Sequence, residues 1–192
     1  RRQRQMCIRD RRLFIQWGFS QVFPAKTMCA HVTTWNKNSS VKFRTDVAMM
    51  CKLGFDIKLA DMSKDDETYC RTAVQNYNRL KPVVLEGDMY RLVSPYGSNH
   101  TSTMYVGKDK DKAVVFAFDI HPRYAEKILP VRLQGLDADK MYRVKEINLM
   151  PGANSSLSGN GEVFSGEFLM NVGLNLFTAQ QLNSRVIEVV AE

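Results

Sequence analysis

The feature that most constrains this chain is a change of period at Gly87. Before it, apolar residues recur at helical spacing; after it, they alternate. The clearest case lies just upstream, where Tyr69, Cys70, Ala73, Val74, Tyr77 and Leu80 form an i, i+3, i+4 stripe. Ser63, with Asp66 three residues on, fits a capping box, and acids crowd the first turn. This predicts a helix from Ser63 that Pro82 ends after Lys81. Leu13 to Phe23 also reads as a helix, with Ile15, Phe19, Val22 and Phe23 on one face and Pro24 as its stop. Met28 to Trp35 reads as a strand leading into the polar loop 36–40. Lys42 to Met50 reads as a helix and Lys52 to Leu59 as a strand. Strands alternating with helices suggest βα units of a parallel sheet. About 75 residues make two such units, whereas a closed (β/α)8 barrel takes about 250. Two units alone leave apolar edges and faces without partners.

After Gly87, short alternating runs follow at roughly ten-residue spacing, the pattern of a β-sandwich or barrel. The predicted strands are Met89–Val93, Ser102–Val106, Ala113–Ile120, Leu129–Leu133, Met141–Asn148, Glu162–Ser165, Glu167–Met170 and Arg185–Val190. The turn clusters KDKDK, GLDAD and SGNG separate most of them. The predicted fold is therefore α+β: βα units of a parallel sheet (residues 13–86), then an antiparallel β-sandwich domain (residues 87–192).

The formal charge of +7 would ordinarily suggest an acidic partner. Residues 1–12 hold six arginines against one aspartate, so +5 of that total sits there and the other residues carry only +2. Neither nucleic acid nor a membrane surface is therefore expected as a partner. The opening run RRQRQMCIRDR resembles a translated sequencing adapter, so residues 1–12 read as a non-native basic tail. On that reading the natural chain continues upstream. The four cysteines form no C-x-x-C pair, and no metal site, disulfide framework or cofactor is expected. No apolar run reaches the roughly 20 residues of a membrane helix.

Several linked motifs, MCAHVTTW, KFRTDVAMMCKLGFDIKL, the Ser63 helix leading into RLKPVVLEGDMYRLVSPY, and RLQGLDADKMYRVKEINLMPG, resemble the C-terminal third of glycoside hydrolase family 36 α-galactosidases. The resemblance runs over about residues 13–192; Cys29 stands where relatives often carry glycine. It implies that residues 13–86 are the last βα units of a (β/α)8 TIM barrel, and that the parent is a retaining hydrolase of terminal α-galactosides of the raffinose and melibiose type. It also implies a homo-oligomeric parent whose catalytic pair is two aspartates, both placed before Leu13. Asp10 lies near that point, but its IRDR context does not match the family motif, so no catalytic residue is assigned here. A retaining glycosidase needs two carboxylates about 5–5.5 Å apart, and this chain on its own is expected to be inactive.

His31 and Trp35 are the candidate substrate-binding residues: His31 follows a barrel-type strand, and an aromatic face suits sugar C–H groups. Each also has a plainer reading as a packing residue. Asp46 and Asp56 could be taken for a carboxylate pair, but a helix salt bridge and a strand end explain them better. His100 and His121 read as loop residues without metal partners. The rival function is a non-catalytic carbohydrate-binding module built on the β half.

Overall fold

The structure is a computed structural model that describes residues 10–33, 39–178 and 180–192. Nine residues of the arginine-rich start, Cys7 among them, lie outside the described residues, as does Trp35. The described chain runs α1 (Asp10–Phe19), β1 (Cys29–Thr33), α2 (Val41–Ala48), β2 (Lys52–Asp56), α3 (Lys64–Glu86), β3 (Asp88–Val93), β4 (His100–Val106), β5 (Lys112–Asp119), β6 (Met141–Ile147), β7 (Val163–Ser165), α4 (Gly166–Asn171) and β8 (Asn183–Ala191).

Strands β1 and β2 pair in parallel, with His31 opposite Gly54. Ala30 and Val32 turn to one face and are buried in the same core as α2 and α3, while Cys29 and His31 turn to the other and are exposed. The predicted stripe on α3 buries Tyr69, Ala73, Tyr77 and Leu80, and the Ser63 hydroxyl accepts from Asp66 N at 3.1 Å as the capping pattern requires. Val74 is partly exposed.

Helix α3 does not stop before Pro82; it continues through it to Glu86. A proline inside a helix forfeits one backbone hydrogen bond. Here the last turn keeps Val83 and Val84 buried, and Gly87 N closes it by donating to Val83 O at 3.0 Å. Burial of that turn outweighs the lost bond.

The remaining strands form one antiparallel sheet in the order β3-β4-β5-β8-β6-β7. Both of its faces are covered. On β5, Val114, Phe116 and Phe118 join the core shared with α2 and α3, while Ala113, Val115 and Ala117 join a second core. That second core is roofed by Val131, Leu133, Leu136, Leu157, Leu169, Leu174 and Leu176. Among the described residues this roof is irregular chain plus α4. The predicted strand Leu129–Leu133 is reduced to one antiparallel bridge between Val131 and Leu174. The predicted strand Glu167–Met170 is helix α4, because the Ser165 hydroxyl accepts from Phe168 N and caps it. Four residues are too few to tell one period from the other, and the cap decides. His100 is the first residue of β4 and is buried, where a loop position was expected.

The period changes at Gly87, but the core crosses it. The ring of Phe43 meets Phe118 edge-on at 5.7 Å. The Tyr105 hydroxyl donates to Met50 O at 2.7 Å. Asp46, fully buried in α2, accepts from Lys42 Nζ at 2.6 Å, Tyr69 OH at 2.8 Å, Asn148 Nδ2 at 3.1 Å and Ser184 Oγ at 2.7 Å. A buried charge persists only when paired and hydrogen-bonded, and these four donors come from α2, α3, the end of β6 and β8.

Candidate active-site face

A parallel strand pair covered by helices on one side presents its other side to whatever lies inside the sheet. On β1 that side carries Cys29 and His31. The His31 ring lies flat across Gly54 on the neighbouring strand. A Cβ on residue 54 would come within 2.1 Å of His31 Cδ2 and 2.6 Å of Nε2, so glycine is what allows the ring to rest there. Nε2 also sits 3.6 Å from Cys29 Sγ. The strand is tied to α1 by Arg12, whose guanidinium donates to His31 O at 2.6 Å.

Beside this strand a cavity of about 530 Å³ opens between α1 and β1, lined by Arg12, Gln16, Phe19, Phe23, Met28 and Cys51 among others. It is mostly apolar. Burial, and secondarily the nearby Cys29, push the Cys51 thiol up to about 12, so it stays protonated and is a poor nucleophile near neutrality. The Ile15, Phe19, Val22 and Phe23 face of the α1 segment is 45–76% exposed rather than packed.

Of the two candidate sugar-binding residues, His31 is placed on this open face and Trp35 falls outside the described residues. Asp46 and Asp56 do not form a pair. Asp46 is locked behind the strands by its four donors, and Asp56 ends β2 in an exposed position, the one carboxylate on β1 and β2. Gly54 and Arg12 were not singled out from the sequence. A glycine inside the strand pattern KLGFDIKL is itself a mark of close approach, so Gly54 was legible. Arg12 was not, because it acts through a backbone oxygen 19 residues away. The arrangement offers an imidazole to a hydroxyl-bearing ligand but holds no two facing acids.

Two family models match in tandem. The one described as Melibiase covers residues 8–87, and the one described as Glycosyl hydrolase family 36 C-terminal domain covers residues 100–189. This chain belongs to glycoside hydrolase family 36. Among curated proteins, family 36 similarity extends to Alpha-galactosidase 2 of Hypocrea jecorina, 33% identical over 182 residues, and Probable alpha-galactosidase G of Aspergillus terreus, 32% identical over 182 residues. Each alignment takes in 92% of this chain. The chain spans 22% and 23% of the length of those relatives. Among solved structures, the GH36 alpha-galactosidase AgaB from Geobacillus stearothermophilus superposes with a TM-score of 0.81 at 26% identity. That match takes in 95% of this chain and 24% of AgaB. A variant of AgaA from the same organism, solved in complex with raffinose, matches equally, and one in complex with stachyose has a TM-score of 0.82 at 27% identity.

Proposed function

We propose that this chain is the C-terminal portion of a retaining α-galactosidase that hydrolyses terminal α-galactosides of the raffinose type. In this reading α1 through α3 are the last units of a (β/α)8 barrel. The β half is a two-layer sandwich whose second layer has shrunk to the Val131–Leu174 bridge and its irregular flanks. The observation that carries the proposal is the one-sided covering of β1 and β2. Parallel strands are normally buried on both faces, yet here the His31 face lies open while α2 and α3 cover the other. The uncovered apolar face of the α1 segment supports the same reading, since further barrel strands and helices would cover both.

In the assembled barrel, His31 and Trp35 would line the galactoside pocket, with His31 held in place by Gly54 and Cys29. The two catalytic carboxylates would come from polypeptide before Leu13. One attacks the anomeric carbon; the other protonates the leaving oxygen and then activates water. The described residues contribute shape and hydrogen bonding to that pocket, but not the acid pair, so the chain by itself is inert. The test is hydrolysis of p-nitrophenyl α-galactoside by this chain. No turnover above buffer is expected. Turnover that survives Asp46→Asn and Asp56→Asn would show that the catalysts lie elsewhere within these 192 residues.

A further inference from the structure

A second cleft, of about 880 Å³, opens in the β half beside the start of β4. His100 lines it, its side chain only 5% exposed and its ring stacked on Phe177 at 4.7 Å. His100 Nδ1 lies 2.7 Å from Asp119 Oδ1, and Asp119 also accepts from Thr178 N at 3.0 Å and Thr178 Oγ1 at 2.7 Å. A carboxylate accepts, so Nδ1 donates to Asp119 and Nε2 is the ring nitrogen left to face the cleft. Nε2 has no hydrogen-bond partner. Its nearest charged neighbour is Glu126 Oε2 at 3.7 Å, too long for a hydrogen bond. Glu126 is itself fixed, accepting from Asn99 Nδ2 at 3.1 Å on both oxygens and from Arg123 N at 2.9 Å. The Glu126 carboxyl is accordingly held below its usual range, by the Arg123 N–H first and then by Asn99.

One buried nitrogen, His100 Nε2, thus lies unmatched beside the partly exposed and already hydrogen-bonded Glu126 carboxylate. A buried polar atom left unmatched is costly, and a hydroxyl, or two adjacent hydroxyls, can reach both groups because a hydroxyl both donates and accepts. The rest of the cleft suits the same occupant. Phe177, Leu129 and Val172 give apolar wall, and Gln134 and Asn171 give amides. Lys127 and Arg132 also line the cleft, but both are exposed to solvent, and an anion drawn to them would meet the Glu126 carboxylate beside His100. A metal ion would find too few ligands, since among the described residues no three histidines, cysteines or acids are grouped to hold one. The volume falls within the range of small-molecule sites.

We infer that this cleft is a second saccharide-binding site that takes a neutral hexose ring through adjacent hydroxyls shared by His100 Nε2 and Glu126. It takes no part in catalysis and stands apart from the His31 face, so either reading can fail alone. The probe is methyl α-galactoside, titrated into chain labelled with ¹⁵N at its three histidines. The expected result is a saturable shift of His100 Nε2. Glu126→Gln or Phe177→Ala should each weaken binding about tenfold or more, the scale of one lost hydrogen bond to a charged group or one lost aromatic contact. His31→Ala should leave this binding unchanged. Glu126→Gln lies on a loop and keeps the side chain's shape, so it tests the site even if Phe177→Ala disturbs the second core. Absence of any shift, a shift confined to His31, or indifference to Glu126→Gln would each overturn the inference.

Discussion

At position 54 a single hydrogen stands where a methyl group would collide with an imidazole. Gly54→Ala is expected to drive His31 off its resting place over the strand. Because His31 is exposed and its ring can swing away, the cost in stability should be small, below about 1 kcal/mol, read by urea denaturation. The His31 ring resonances should move with it. The cysteines make a second test. With its thiol pushed up to about 12, Cys51 should be ionised to only about one part in 10⁴ at pH 8. Iodoacetamide at that pH should modify exposed Cys29 well before Cys51, and peptide mass spectrometry distinguishes the two. A faster Cys51 would mean that burial is not what governs it. His31 was expected just after a strand; it lies inside β1 instead, where strand alternation turns it to the exposed face. Asp46 was legible only in part. Its pairing with Lys42 follows from i, i+4 spacing, but Asn148 and Ser184 lie 102 and 138 residues away, and no local pattern reports contacts at that range.

Among the elements, α3 shows what local sequence decides. Its start was fixed by one hydroxyl, and Ser63→Ala should cost about 1 kcal/mol, seen as a lower thermal midpoint with the fold retained. Its end was not legible. Pro82 is a valid stop signal by local chemistry, and only the burial of Val83 and Val84 carries the helix beyond it. The same limit explains α4. Ser-Gly-Glu-Phe-Leu-Met alternates well enough to pass for a strand, yet Gly166 sits so close to Asp137 that a Cβ there would fall 1.8 Å from its carbonyl oxygen. The long strands β4, β5, β6 and β8 were legible because each is a run of seven residues or more rich in β-branched and aromatic side chains, although only β6 alternates buried and exposed positions. The irregular roof over the second core carries scattered leucines without a period, so nothing in the sequence announced it.

Over the whole molecule, the change of element type and the extent of the core do not coincide. Residues 87–192 on their own would bare Tyr105, Phe116 and Phe118, which now pack under α2 and α3. That piece is expected to bind a hydrophobic dye and associate, while the full chain unfolds in one transition that fluorescence and circular dichroism report together. A monomeric, dye-silent piece would show that the sheet needs no helical cover. The order of the sheet adds a constraint of another kind. Strand β8, residues 183–191, lies between β5 and β6, and Ser184 within it supplies a donor to Asp46. During translation, a nascent chain that has reached residue 180 holds two half-sheets that cannot meet and a carboxylate still short of a partner. Closure of the sheet is thereby expected to wait until β8 has been made, and apolar surface stays open to aggregation until then. Loss of β8 alone would cost the sheet as much as loss of every strand on one side of it.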